Sequence, residues 1–162
     1  MFQDVIGHEA IKQRLIRSLQ TGRISHAQLF AGPTGYGSLA LALAFAQYVF
    51  CTGDKHDDAC GECPSCRKMK KFIHPDLHFV FPVVRKAKSP VSDEYLNEWR
   101  RLLMQGAYFG LEEWYAEMGI DDNAQASIYA EESGNILRKL NLKAFESDYK
   151  IMLVWLPEKM NP

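Results

Sequence analysis

The stretch that decides the fold reads Ala31-Gly32-Pro33-Thr34-Gly35-Tyr36-Gly37-Ser38-Leu39. It follows the short apolar run 27–30 and opens the longer apolar stretch 39–50. A strand, a glycine-rich loop and a helix in this order are typical of a phosphate-binding P-loop, whose usual pattern is G-x-x-x-x-G-K-[ST]. Gly32 and Gly37 have the spacing of the two glycines of that pattern, and Gly35 lies between them.

Two positions of this loop lack the side chains that P-loop chemistry needs. Ser38 stands at the lysine position, so it cannot bring a positive charge to the phosphates. Leu39 stands at the Ser/Thr position, so it cannot hold magnesium. Because glycine-rich turns between a strand and a helix are common, the loop alone leaves two interpretations open. It is either a P-loop kept as a shape, or a turn that was never a P-loop.

A second stretch bears on the same question. The apolar run 151–156 is bounded by polar residues, which predicts a central parallel strand. In P-loop ATPases an acidic pair at the end of a later strand completes the magnesium site. Trp155 and Leu156 occupy those positions here. Losses at both ends of the site predict a vestigial P-loop and a vestigial Walker B strand, with no functional ATP or magnesium site and no catalytic residue.

The four cysteines fall in one window with the pattern C-x8-C-x2-C-x2-C. Two-residue gaps let consecutive thiolates converge on one ion, and four thiolates fill a tetrahedral zinc site with no open position. We therefore predict a structural zinc ion bound by Cys51, Cys60, Cys63 and Cys66. The alternatives are four unrelated free thiols or a redox C-x-x-C pair. His56 and His74 are interpreted as ordinary loop histidines.

Composition excludes several classes of protein. The chain has 162 residues, 47% of them hydrophobic and 24% charged, which is ordinary for a globular domain. A net charge of -1 means that bulk charge does not drive nucleic-acid binding. The sequence shows no signal peptide, and its longest apolar stretch is too short to span a bilayer. These features predict a cytoplasmic protein with no membrane partner.

Hydrophobic periodicity predicts an α/β fold, because strands alternate with helices. Strands are predicted over 24–30, 77–84 and 151–156. Helices are predicted over 4–20, 39–50, 67–71, 93–105, 111–118 and 127–141.

Several motifs together resemble the AAA+ subunits of bacterial clamp loaders, the gamma/tau and delta-prime subunits of DNA polymerase III. That family carries a zinc module of the same cysteine spacing after its P-loop helix. The other matching segments are 2–9, 25–33, 74–76, 135–140, 149–151 and 158–161. The resemblance implies a P-loop NTPase (AAA+) fold of three layers, α/β/α, with a mainly parallel sheet and a small zinc-binding module.

The resemblance also implies how the chain is organised. Residues 1–162 would form a truncated AAA+ domain, with a zinc module at 51–71 and a helical insertion at 85–125. The family's later Ser-Arg-Cys motif, lid and oligomerisation domain are absent from this sequence, so Arg23 and Arg138 are not assigned the role of the arginine finger. A truncated sheet would leave an open edge, which predicts self-association. The core of the insertion is predicted from its aromatic residues, Tyr95, Trp99, Tyr108, Phe109, Trp114 and Tyr115.

Delta-prime subunits commonly lack a working P-loop, so Ser38, Leu39, Trp155 and Leu156 favour that branch. The implied function is a non-hydrolysing stator that contacts the delta and gamma/tau subunits and helps to place the sliding clamp on primer-template DNA. The chain would not be an enzyme, whereas its parent complex supports DNA-directed DNA polymerase activity.

Two alternatives stay open at the level of sequence. The first is an active P-loop ATPase of the gamma/tau type, with Lys12 or another basic group replacing the missing lysine. The second is a zinc-containing module that binds nucleic acid through its basic run, Arg67, Lys68, Lys70 and Lys71. A solvated helix face is the simpler interpretation of that run.

Overall fold

The computed structural model describes residues 1–85, 90–120 and 125–160, which form two compact units, Met1–His74 and Pro75–Pro162. Residues 86–89 and 121–124 of the predicted insertion lie outside the described residues, as does Asn161 of the last matching segment. Among the helices that are described, none is long and apolar enough to cross a bilayer.

The first unit contains three α-helices. They are α1 (Glu9–Gln20), α2 (Ser38–Phe50) and α3 (Pro64–Met69), and a 3-10 turn at Phe2–Asp4 precedes them. Helix α1 begins later than predicted because Gly7 and His8 adopt left-handed φ angles of 67° and 63°, which a helix cannot include. Its predicted end is confirmed, since Thr21 caps the helix and Gly22 follows with φ 67°.

Helix α2 is the core of this unit. Every residue from Ala40 to Phe50 is buried, which confirms the prediction of a helix buried on nearly all faces. Lys55 satisfies the carbonyl groups that the end of the helix leaves free. Its Nζ donates to the oxygens of Cys51 at 2.9 Å, Tyr48 at 3.1 Å and Val49 at 3.4 Å.

The strand predicted over 24–30 is wrong. This segment has no regular secondary structure, and Leu29 within it is 82% exposed. A strand needs a neighbour for its N–H and C=O groups. The only strands among the described residues pair with each other and leave none for this segment.

The second unit is built on two parallel strands, β1 (Leu77–Val80) and β2 (Ile151–Val154). Leu77 pairs with Ile151 and Val80 with Val154. Parallel strands combined with helices confirm the α/β class. However, β2 is half-buried and has one neighbour among the described strands, so it is not the central strand predicted from its apolar run. The three-layer arrangement stays a prediction.

Three helices complete this unit, namely α4 (Leu96–Gln105), α5 (Leu111–Met118) and α6 (Glu131–Asn141), with 3-10 turns at Ser92–Tyr95 and Pro157–Lys159. Helix α6 starts four residues later than predicted because Ser127 and Ile128 form β-bridges with Val83 and Met160. The Ser127 carbonyl, which a helix starting there would need for Glu131, accepts the N–H of Val83 at 3.0 Å. β1 ends before Pro82, which has no N–H to donate.

An aromatic cluster fills the interior of the second unit. Trp99 and Trp114 are fully buried, with ring centres 5.3 Å apart. Phe81 stacks on Trp99 at 4.3 Å, and Phe109 lies 5.4 Å from it. Three of the six aromatic residues predicted to form the core of the insertion are thus buried, but they share the cluster with Phe81, which lies outside residues 85–125, so a separate insertion stays a prediction. Tyr95 and Tyr115 are half-buried, and Tyr108 is exposed.

Candidate functional site

The glycine loop, residues 31–37, is a turn that leads directly into α2. Gly35 and Gly37 have φ angles of 81° and 87°, a region that favours glycine. The N–H of Tyr36 donates to Pro33 O at 3.2 Å, and Gly37 O accepts the first helical bond, from Leu41, at 2.8 Å. The predicted passage from a glycine loop into a helix is therefore present, although no strand precedes it.

The side chains that α2 itself places at its start are neutral. Ser38 is the first residue of the helix, and both it and Leu39 are half-buried. Lys12, the cation suggested as a substitute for the missing lysine, is buried and donates to Val5 O and to Glu9 Oε1, both at 2.8 Å. Those two partners hold its ammonium group in place on α1.

A cavity of about 600 Å³ opens beside the glycine loop. The loop, the extended segment before it and one side of α1 line this cavity, and Arg14 and Arg23 contribute positive charge. His8 joins α1 to the loop, since its Nε2 lies 2.7 Å from Tyr36 O. The loop thus borders a space large enough for a small ligand.

The end of β2, in the second unit, is occupied by packing residues. The N–H of Trp155 donates to Val80 O at 2.8 Å and continues the parallel ladder. Its ring lies 5.2 Å from that of Trp99 and 5.3 Å from that of Phe109. Leu156 follows with a left-handed φ of 54°. The two positions where an acidic pair was sought thus extend the aromatic cluster and offer no oxygen ligand from their side chains.

The four cysteines converge after α2. Their sulfurs all lie within 4.8 Å of one another, with Sγ–Sγ distances of 3.5 Å for Cys51–Cys60 and 4.0 Å for Cys60–Cys66. A tetrahedral zinc ion with Zn–S bonds of about 2.3 Å requires sulfurs about 3.8 Å apart. The cluster could therefore hold a metal ion. His74 instead stacks on Phe50, with ring centres 4.1 Å apart.

Backbone N–H groups donate hydrogen bonds to three of the four sulfurs. The N–H of Cys60 donates to Cys51 Sγ at 3.3 Å, that of Cys63 to Cys60 Sγ at 3.4 Å, and that of Cys66 to Cys63 Sγ at 3.4 Å. Burial alone would raise the pKa of Cys63, but hydrogen bonds from Thr52 and from the Cys66 N–H lower it to about 5. Burial raises the pKa of Cys66 to about 12. The cluster thus combines a thiol that ionises easily, that of Cys63, with a buried thiol, that of Cys66, which would lose its proton on binding a cation.

The loop between the first two cysteines, residues 52–59, is tied to the rest of its unit. The Asp58 carboxylate accepts hydrogen bonds from the N–H groups of Phe2 at 3.0 Å and Gln3 at 2.9 Å. A Cβ placed on Gly53 would lie 2.7 Å from Cys60 Sγ, closer than real contacts allow. The backbone at Gly53 therefore passes directly beside the Cys60 sulfur and leaves no room there for a side chain.

Comparison with known proteins identifies the family. The sequence matches the family described as DNA polymerase III, delta subunit, over residues 7–162. The chain belongs to this family. The resemblance to DNA polymerase III subunits that the motifs predicted is therefore confirmed.

The relatives of the chain include both tau and delta' subunits. It is 41% identical to DNA polymerase III subunit tau of Bacillus subtilis over 66 residues, which cover 41% of this chain and 12% of that protein. It is 38% identical to the delta' subunit of the same organism over 72 residues, 44% of this chain and 22% of that protein. With the delta' subunit of Escherichia coli it shares 31% identity over 98 residues, 60% of this chain and 29% of that protein. The chain spans less than a third of the length of these relatives.

The structural roles of three residues near the cysteines were not predicted from sequence. Lys55 and Asp58 resemble ordinary residues of a polar loop, and no local pattern marks them as a helix cap and an anchor. Gln47 carries a better signal. It is a buried polar residue in an otherwise apolar helix, four positions before the first cysteine.

Proposed function

We propose that this chain is a non-hydrolysing clamp-loader subunit of the delta-prime type, which helps to load the sliding clamp onto primed DNA during replication. The observation that carries the proposal is the neutral start of α2, where Ser38 and Leu39 replace the groups that bind phosphate and magnesium. The aromatic packing of Trp155 at the end of β2 supports the same conclusion. Family membership supplies the context of DNA polymerase III.

In this proposal the chain is a scaffold, and ATP is hydrolysed by other subunits. Its partners are the delta and gamma/tau subunits, and it reaches the clamp and primer-template DNA through the assembly. It works in the cytoplasm, where bacterial DNA is replicated. Residues 1–162 belong to an AAA+ domain of three layers, with a zinc module at 51–71 and a helical insertion at 85–125.

We further propose that Cys51, Cys60, Cys63 and Cys66 bind one structural zinc ion. Four thiolates satisfy the coordination of the ion and leave no position for substrate. The sulfur separations of 3.5 Å and 4.0 Å support a tetrahedral site. The ion would stabilise a loop that otherwise buries little apolar surface.

Nucleotide binding tests the proposal. Isothermal titration of the chain with Mg-ATP is expected to give no heat of binding, whereas delta and gamma/tau subunits should capture the chain in a pull-down. Micromolar ATP affinity with magnesium-dependent turnover that Gly37→Val abolishes would contradict the proposal. Gly22→Val is the matched control, because Gly22 also has a positive φ but lies outside the loop.

An active subunit of the gamma/tau type is the second candidate, since the tau subunit of Bacillus subtilis is 41% identical over the aligned region. That candidate requires a cation at the phosphates. Lys12 is buried and bonded to Val5 and Glu9, so it would have to break both contacts to serve. Turnover that is lost in Lys12→Met but kept in an exposed control, Lys71→Met, would favour this candidate.

A further inference from the structure

Helix α3 has a buried side and an exposed side that carries positive charge. Cys66 and Met69 are buried, whereas Arg67, Lys70 and Lys71 are exposed. Lys70 follows Arg67 by three positions and keeps a helical backbone conformation, and Lys71 comes next. Residues three and four positions apart share a helix face. Arg67, Lys70 and Lys71 therefore form one cationic face on the exposed side of α3.

The charge of the cationic face is not neutralised within the part of the chain that the structure describes. None of its three residues forms an ion pair with a carboxylate there. Glu62 is the only acidic residue between positions 59 and 75. Because like charges three and four positions apart repel each other and destabilise a helix, an anion from another molecule would stabilise this face.

The cysteine cluster holds the short helix that carries these cations. With six residues, α3 is too short to be stable in water as an isolated helix. Cys63 is its N-cap, and Cys63 Sγ accepts the N–H of Cys66 at 3.4 Å. At the other end, the N–H of Ile73 donates to Lys68 O at 3.0 Å and closes the last turn. The cationic face is therefore fixed to the molecule at both ends of its helix.

The composition of the cationic face favours a nucleic acid over a protein as its partner. Met69, the apolar residue between the cations, is buried, and the next exposed apolar residue along the chain, Ile73, lies beyond the end of the helix. Protein interfaces are centred on aromatic and apolar anchors and are poor in lysine. Contacts to a phosphate backbone need only arginine and lysine. Membership of a DNA polymerase III family supplies a setting in which DNA is present.

We propose that the cationic face binds the phosphate backbone of duplex DNA directly and independently of base sequence. A duplex is favoured over a single strand because its phosphates are more closely spaced along the axis. In addition, Phe72, the aromatic residue next to the face in sequence, is half-buried and offers no open platform on which bases could stack. Direct contact adds to the function proposed above, in which the chain reaches DNA through the assembly. It would stand even if the chain hydrolysed ATP.

The salt dependence of DNA binding tests the proposal. Binding of the chain to a short fluorescein-labelled duplex is followed by fluorescence anisotropy at increasing NaCl concentrations. Each phosphate contact contributes about −0.9 to the slope of log K against log salt, so three contacts predict a slope of about −2.7. We expect Arg67→Gln/Lys71→Gln to bind about tenfold or more weakly at low salt, with a slope of about −0.9. The matched control is Arg17→Gln/Lys143→Gln, which removes the same charges from exposed positions elsewhere and should behave as the wild type.

A measurement on the wild-type chain makes the test independent of the folding of any variant. Lysine side chains are acetylated with and without bound duplex, and the products are quantified by mass spectrometry. Lys70 and Lys71 should be protected by the duplex, whereas the exposed Lys143 should react equally in both samples. Equal reaction of Lys70 and Lys71 with and without duplex would overturn the proposal.

Three other results would also overturn it. The first is a wild-type chain that does not bind the duplex at low salt, which would leave the cationic face as a solvated surface. The second is a double variant of Arg67 and Lys71 that binds as the control variant does. The third is a poly-glutamate peptide that binds as tightly as the duplex, which would assign the face to an acidic protein.

Discussion

Trp99 and Trp114 should respond differently to the same substitution by phenylalanine. Both are fully buried in the aromatic cluster of the second unit, with rings nearly perpendicular at 88°. They differ in their indole N–H groups. Trp114 Nε1 donates to Pro82 O at 2.8 Å, whereas Trp99 Nε1 has no hydrogen-bond partner among the described residues.

The expected difference in unfolding free energy between the two variants follows from this difference in hydrogen bonding. Each Trp→Phe change removes the same atoms from a buried site, so the loss of packing is similar in the two variants and largely cancels. Trp114→Phe also leaves the Pro82 carbonyl without its hydrogen-bond donor, which costs about 1–3 kcal/mol. Trp99→Phe removes an N–H that already lacks a partner, so it incurs no such cost. We expect Trp114→Phe to lower the free energy of unfolding by about 2 kcal/mol more than Trp99→Phe.

Urea unfolding followed by far-UV circular dichroism measures the two free energies without depending on tryptophan fluorescence. The comparison is valid if both variants unfold with the same dependence on denaturant as the wild type. An equal or larger loss in Trp99→Phe would refute the reasoning. It would mean that the Trp99 N–H is satisfied, for example by the face of a neighbouring ring.

Three further outcomes are expected. Metal analysis should find about one zinc per chain, and the four thiols should react with a thiol reagent only after a chelator is added. Gly53→Ala should weaken zinc binding, because the new Cβ would lie 2.7 Å from Cys60 Sγ, whereas Gly134→Ala in α6 meets nothing within 4 Å and should stabilise the chain slightly. Burial opposes the ionisation of Asp93, but hydrogen bonds from Lys139 and Asn135 lower its pKa overall. Its contribution is therefore present above its unfolded pKa and lost on acidification through the lower folded pKa, so stability should fall less between about pH 5 and pH 2 in Asp93→Asn than in the wild type.

Buried helices, and helix ends marked by a glycine, could be predicted from sequence because their signals are local. α2 combines alanines with large apolar residues on every face, and Gly22 ends α1 as expected. The cysteine spacing likewise predicted the convergence of the four sulfurs. Each of these features depends on residues close to one another along the chain.

Strand predictions failed where they depended on distant partners. The segment 24–30 has the composition of a strand, but no described residue pairs with its backbone. Helix α6 lost its first predicted turn because Ser127 and Ile128 bond to Val83 and Lys159, far away in sequence. Hydrophobic periodicity records which residues prefer burial, and it does not record which backbone groups will meet.

The hydrogen bonds of Asp58 affect the order in which parts of the first unit can dock during synthesis. Its carboxylate holds the N–H groups of Phe2 and Gln3, and the first of these contacts spans 56 positions of sequence. On a ribosome, Phe2 and Gln3 are synthesised before Asp58, so they have no docking carboxylate until the loop between the first two cysteines has emerged. The cysteine ligands lie close together in sequence, so their loop closes at a smaller entropic cost. Phe2 and Gln3 are therefore made before the loop that docks them, and they remain accessible to chaperones and proteases until that loop has formed.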